Sequence, residues 1–200
     1  MSALTVGVII GSVRPHRMGL RVGKYFQAKL LQKGVQKVHL IDPAPLQIPL
    51  LIDRYAALPE ADRTAGLREL HAKIAESDAY IVVSPEYNNS YSPVLSNVMD
   101  YFYHNEYYYK SAGIVTYSME YFGGVRAAGP LRPFLGQLGL TTIPLTVPVP
   151  KVQNLLSVDG DVLPDAGGSG FALENGAASF VSELMWFANA LKTARAKGAP

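Results

Sequence analysis

Residues 11 to 19, Gly-Ser-Val-Arg-Pro-His-Arg-Met-Gly, place a hydroxyl and two guanidinium groups directly behind a glycine. Gly11 permits a sharp turn, Ser12 offers its hydroxyl, and Arg14 and Arg17 supply planar forks of donors that match phosphate oxygens. At a helix N-terminus, the segment through Met18 and Gly19 would add unpaired N–H groups and the positive end of the helix dipole. The chemistry indicated is anion binding, with a phosphate the natural guest. The spacing matches neither G-x-x-x-x-G-K-[ST] nor G-x-G-x-x-G, which argues against a P-loop triphosphatase and an ordinary dinucleotide fold. A solvated turn is the competing reading, and His16 reads as loop surface unless protonated.

A second stretch, Ser84-Pro85-Glu86-Tyr87-Asn88-Asn89-Ser90-Tyr91-Ser92-Pro93, is stiffened by Pro85, which fixes its own φ and restricts Ser84. Its backbone groups, the Tyr87 ring and the Asn88 amide would suit the edge of a planar heterocycle. Ser92 and Pro93 also read as an N-cap followed by the first helical residue, which leaves Pro85 to Asn88 without a purpose of their own. A third stretch, Tyr117-Ser118-Met119-Glu120-Tyr121-Phe122-Gly123-Gly124, ends in paired glycines that allow backbone to approach a ligand. A flexible connection is its alternative.

The elements that must position these stretches follow from periodicity. Short β-branched runs at 5–10, 37–41, 79–84, 113–116 and 142–147 alternate with helical patterns at 19–33, 65–76, 93–102, 125–138 and 172–197, the last fraying into a tail at 196–200. Continuous apolar strands alternating with helices predict an α/β fold: a doubly wound, five-stranded parallel sheet between two helical layers. Ligands of such sheets sit outside the carboxyl ends of the strands, near the reversal of strand order, so the three stretches should meet there. The 200 residues, 48% hydrophobic, are expected to form one domain. A net charge of +2 with scattered basic residues argues against nucleic acid, and the apolar runs are too short to span a membrane. Without cysteines or a signal-like start, a cytoplasmic location is expected, and a thiol-dependent phosphatase is excluded.

Taken together, the three stretches resemble the NADPH-dependent FMN reductase family of flavodoxin-like proteins. Gly11 to Arg14 match its G-S-x-R motif, Pro85 to Ser90 its P-E-Y-N-x-S, and Ser118 to Gly124 its S-x-G-x-x-G-G. The resemblance implies that Ser12, Arg14 and the following loop through Met18 and Gly19, with Arg17 added, hold the FMN phosphate. Pro85, Glu86, Tyr87 and Asn88 would line the isoalloxazine, with Ser118, Gly123 and Gly124 closing its pyrimidine side. It further implies NADPH, or NADH, as hydride donor and a second acceptor that is a free flavin, quinone, azo compound or metal ion. The cofactor would carry the chemistry, so no catalytic side chain is assigned. Departures stand at Arg17 and Gly19, at Ser92-Pro93 and Ser96, and at Glu120, where the family's third motif has glycine. An FMN-binding electron carrier that does not oxidise NAD(P)H is the alternative function.

Between 101 and 109 run six aromatics, more than one core is expected to absorb; Tyr101, Tyr103 and Tyr107 to Tyr109 suggest a homodimer interface, extensible to a dimer of dimers. Ordinary packing is the competing explanation. His104-Asn105-Glu106 matches no zinc spacing, so no metal is expected. His39 and His71 have no evident partner, and Arg21 and Arg126 are unranked candidates for a 2′-phosphate of NADPH.

Overall fold

Five strands form the sheet in a computed structural model of the chain, which describes residues 3–199. They are β1 (Thr5–Ile10), β2 (Lys37–Ile41), β3 (Ala79–Pro85), β4 (Ser111–Tyr117) and β5 (Thr141–Val149). All pair in parallel in the order β2-β1-β3-β4-β5, the flavodoxin-like arrangement in which chain direction across the sheet reverses between β1 and β3. Every residue of β3 and β4 is buried, which is why those segments read as continuous rather than alternating apolar runs.

Side-chain parity divides the interior into two cores. Val6, Val8, Ile10, Ile81 and Val83 face α1 (Gly19–Gln32) and α8 (Gly167–Ala196), meeting Val22, Phe26, Phe180 and Leu184. Ile9, Ile41, Tyr80, Val82 and Ile114 face the opposite layer of α3 (Ala65–Glu76), α4 (Pro93–Asp100) and α6 (Ala128–Leu138), meeting Leu70, Leu95 and Leu135. Thr64 caps α3 by accepting from the Leu67 amide at 3.2 Å, and Ser92 caps α4 through the Leu95 amide at 3.2 Å, ahead of Pro93. Short helices α2 (Pro43–Leu46), α5 (His104–Tyr107) and α7 (Val152–Leu155) lie in the connections.

Several expectations are corrected. The last helix begins at Gly167, not 172, although Gly167, Gly168 and Gly170 are poor helix formers; a side chain at Gly170 would meet Val162 and Ala166 at 2.9 and 3.0 Å, so close packing favours the glycine there. Residues 125–127 form a 3-10 turn and the α-helix starts at Ala128. β5 continues through Pro144 and Pro148, which an edge strand tolerates because one side of its ladder is unpaired. Tyr101 and Tyr107, expected outside the core, are 1% and 0% exposed. Their hydroxyls find backbone acceptors, Tyr101 at the Pro49 and Leu50 carbonyls and Tyr107 at the Met99 carbonyl, all at 3.3 Å. Tyr108 and Tyr109 are exposed but precede β4, at the sheet end opposite the three loops. Both unassigned histidines have partners: His39 with Glu76 at 2.8 Å, and His71 stacked on Tyr55 at 4.1 Å and beside Glu106. Glu106 accepts from the Tyr103 amide at 3.2 Å, while His104 stacks on Tyr103 and Tyr108.

Lys110 gives the fold a pH signature. It is 9% exposed, and its ammonium donates to the Ala75 carbonyl at 3.2 Å and the Tyr80 hydroxyl at 3.4 Å. Burial, with Arg195 nearby, pushes its pKa down to about 8 against the repulsion-relieving Asp78 and Glu106. Below pH 8 both folded and unfolded chains hold this proton, and the folded one bears the cost of burying it. From pH 8 toward 10.5 only the unfolded chain keeps it, so stability should rise with pH. Above pH 10 the buried phenols of Tyr80 and Tyr107, held protonated by burial, reverse the trend. We expect urea midpoints to increase from pH 7.5 to 9.5, by about 2 kcal/mol in unfolding free energy. Lys110→Met should be more stable than wild type at pH 7.5 and lose most of that increase; an identical rise in the variant would refute the assignment to Lys110.

Candidate functional site

The three loops meet at the carboxyl ends of β1, β3 and β4 around a cavity of about 510 Å³. The first loop contributes Ser12, Arg14, Pro15, His16, Arg17 and Met18; the second Pro85, Glu86 and Tyr87; the third Ser118, Met119 and Glu120, with Tyr117 from the end of β4. Eight of the twelve residues expected from sequence therefore line one cavity, Gly19 stands just behind it, and Asn88, Gly123 and Gly124 lie outside the lining.

 Gly19 serves the cavity from behind: a side chain there would stand 2.7 Å from the Tyr117 hydroxyl, so the glycine lets that ring close against the start of α1.

The first loop is anchored at its start through both backbone groups of Gly11. The Gly11 amide donates to the Val83 carbonyl at 2.8 Å, and the Ser92 hydroxyl donates to the Gly11 carbonyl at 2.5 Å, so Ser92 joins the α4 cap to the first loop. Ser12 is buried at 2% exposure, and Met18, the N-cap of α1, makes no side-chain cap to the first turn of the helix. Arg14 is exposed and reaches across to the second loop, its guanidinium 4.9 Å from the centre of the Tyr87 ring. Arg17 donates to Asp42, while its Nε is buried without a partner. These features fit a phosphorylated group: an orphaned cationic donor and uncapped helix amides need acceptor oxygens, which a phosphate supplies.

Tyr117, which in the sequence reads as the opening residue of the third stretch with no role of its own, is the last residue of β4 and lines the cavity beside Ser118, as do the unassigned loop residues Pro15, His16, Met119 and Glu120. Burial pushes its phenol well above the ordinary range, against hydrogen bonds with Ser12 and the Gly19 backbone that pull it back.

Three expected residues stand outside the lining, each for a local reason. Asn88 and Asn89 have φ of 52° and 63° and form a two-residue turn closed by reciprocal Tyr87–Ser90 bonds of 2.9 and 3.0 Å, which leaves Asn88 exposed. Gly123 and Gly124 have φ of 60° and 74° and do admit a close backbone approach, but by the protein itself. A side chain at Gly123 would lie 2.8 Å from the Pro150 nitrogen, and one at Gly124 2.7 Å from the Tyr117 carbonyl oxygen. Glu86 lines the cavity with its carboxylate turned to a structural task, accepting from the Arg126 amide at 3.1 Å and guanidinium at 3.3 Å. Arg126 is thereby paired with Glu86, and Arg21 donates to the Leu156 carbonyl at 2.9 Å. The Ser118 hydroxyl folds onto its own loop, donating to the Glu120 carbonyl at 3.0 Å and accepting from the Glu120 amide at 3.2 Å. Glu120, the departure from the family motif, is exposed on the cavity wall.

A family model described as NADPH-dependent FMN reductase matches residues 4–154. The chain belongs to this family. FMN and NAD(P)H are accordingly its cofactors, and FMN-dependent oxidoreduction with NAD(P)H is its activity. The NAD(P)H-dependent FMN reductase LOT6 of Saccharomyces cerevisiae is 26% identical over 151 residues, covering 70% of this chain and 78% of that protein. An NAD(P)H-dependent FMN reductase of Schizosaccharomyces pombe is 35% identical over 85 residues, 40% of this chain and 41% of that protein. Among solved structures, FerB of Paracoccus denitrificans, a flavoenzyme NAD(P)H:(acceptor) oxidoreductase, superposes with a TM-score of 0.67 at 24% identity, over 92% of this chain and 99% of its own, and shares the fold. Among the described residues no helix is long and apolar enough to cross a membrane.

The third loop of this FMN reductase depends on its glycines for shape. Gly124→Ala places a side chain at positive φ and against the Tyr117 carbonyl, and should cost about 2 kcal/mol or more of stability. A thermal melt should show the midpoint lowered by roughly 5 °C; an unchanged midpoint would show that the turn relaxes freely.

Proposed function

We propose that the cavity between the three loops is the FMN site of this reductase and that the electrons leave it for a flat, apolar acceptor of the quinone type. The observation that carries this reading is the convergence of an orphaned arginine Nε, a buried serine hydroxyl and uncapped helix amides at one end of a cavity whose other walls are Pro85, Tyr87 and Ser118. On this reading Ser12, Arg14, Arg17 and the amides following Met18 hold the phosphate, and Pro85 to Tyr87 and Ser118 to Glu120 flank the ring system. Asn88, Gly123 and Gly124 shape the loops rather than touch the cofactor. When bound, FMN supplies the redox chemistry, taking a hydride from NAD(P)H and passing electrons to the second acceptor. The protein's share is to fix the ring between the second and third loops and keep one side open to donor and acceptor in turn. Met119, Tyr121 and Phe122, 55%, 73% and 65% exposed on the third loop, support an apolar rather than a charged acceptor.

A homodimer fits an exposed apolar surface on the β2–α3 connection, where Leu50 and Ile52 are 82% and 83% exposed while their backbone is pinned to α4 by Asn97. Pinning the main chain while presenting the side chains is what an interface requires. Cytoplasmic location fits a chain without cysteines whose donor is a pyridine nucleotide.

Reconstitution with FMN should give the absorption spectrum of a bound flavin and steady oxidation of NADPH or NADH that accelerates on adding a quinone. Absence of flavin uptake would overturn the site, and uptake with no quinone acceleration would overturn the acceptor. Arg14→Ala should weaken FMN binding by about 1.5 kcal/mol, the low end for a charged hydrogen bond because the side chain is exposed. Leu50→Glu with Ile52→Glu should convert a dimer to a monomer in sedimentation; a wild-type monomer would refute the assembly.

A further inference from the structure

Arg17 and Asp42 form an ion pair that is closed on one side only. Arg17 Nη2 donates to Asp42 Oδ2, and each side chain is 16% exposed. A guanidinium and a carboxylate that meet freely tend to close two parallel bonds. Asp42 is not free to do so, because it caps α2: its Oδ1 accepts from the Ala44 amide at 3.2 Å, ahead of a helix whose first residue is Pro43. One carboxylate oxygen is held by the helix and one is left for Arg17. The fork stays half closed, and the Arg17 Nε is buried with no acceptor. A buried cationic donor left unmet carries a desolvation cost, which a ligand that brings an acceptor removes. Arg17 lines the same cavity as Ser12, so a small rotation of its guanidinium would bring the buried Nε to an acceptor held there.

We propose that Asp42 is a positioning residue that holds Arg17 with its Nε reserved for the flavin phosphate, and that the pair is the means by which the site distinguishes FMN from unphosphorylated riboflavin. The proposal rests on the cavity being the FMN site. The cap fixes Asp42, Asp42 fixes one corner of the guanidinium at Nη2, and the Nε donor meets a phosphate oxygen. Because Asp42 already balances the charge of Arg17, the contribution is a directed hydrogen bond more than a diffuse attraction. Arg14 differs: it is exposed and makes no ion pair among the described residues, so its attraction for the phosphate is screened by salt.

The test measures dissociation constants of FMN and riboflavin by fluorescence titration of the full chain, in wild type, Arg17→Ala, Arg17→Lys and Asp42→Asn, with flavin-free melts to establish folding. Wild type should prefer FMN. Arg17→Ala and Arg17→Lys should each weaken FMN by about tenfold or more, Lys included because it lacks the Nε donor, with riboflavin changed by less than about twofold. Asp42→Asn keeps the cap acceptor and removes the ionic hold on Arg17, and should lower the preference for FMN by about fivefold. The selectivity loss in the Arg17 variants should persist in roughly 0.5 M salt, where that of Arg14→Ala shrinks. Equal wild-type affinity for the two flavins, equal weakening of both in the Arg17 variants, or unchanged or tighter FMN binding by Asp42→Asn would overturn the proposal alone. A wild-type chain that binds neither flavin would overturn the FMN site and the proposal with it.

Discussion

Parallel strands that stop at the same level are the condition on which the cavity depends. Ile10 pairs with Val83 and Pro85 with Tyr117, so the loops that follow β1, β3 and β4 start side by side. The ladder then continues past the strands, from the Gly11 amide to Val83 and from the Ser118 amide to Val149 at 3.2 Å, which carries the rigidity of the sheet into the first turn of each loop. A slip of one residue in β1 would exchange Val8 for Ile9 between the two cores and move Ser12 away from Tyr117. Core packing and cavity geometry are therefore one requirement. Helices supply the rest: Ser92 serves α4 as a cap and the first loop as a donor, so a single hydroxyl links a helix start to a strand end.

Where one local rule dominated, the residues declared their structure. β3 is long, apolar and β-branched, and the 65–76 segment carries Leu67, Leu70 and Ile74 on one stripe behind a threonine cap; both were legible. The place of the first loop at the cavity was legible for a related reason, since a serine and two arginines directly after an apolar strand mark the carboxyl edge of the sheet where ligands gather. Strand order was legible only through the likeness to a family, because periodicity carries no information about which strands are neighbours.

Other features depend on partners distant in the chain. Asp42 caps a short proline-led helix that was not among the elements expected from sequence, and nothing at that position announces Arg17. Tyr101 and Tyr107 looked too polar and too numerous for an interior, yet carbonyls at Pro49, Leu50 and Met99 accept their hydroxyls. Gly123 and Gly124 read as sites of close approach, and the structure shows the protein's own backbone approaching them, because a glycine records that something is near without recording what. Asn88 met the same ambiguity: an amide suited to a heterocycle is also suited to a left-handed turn, and the turn prevails.

The two prolines in β5 also bear on how the molecule meets its own kind. β5 is an outer strand, and Pro144 and Pro148 point to solvent with no N–H to offer. A neighbouring chain laid along this margin would find gaps in the row of donors, so ribbon-like stacking through a continuous intermolecular sheet is discouraged. Whatever company the protein keeps must be met through helices and loops, leaving the sheet a private scaffold.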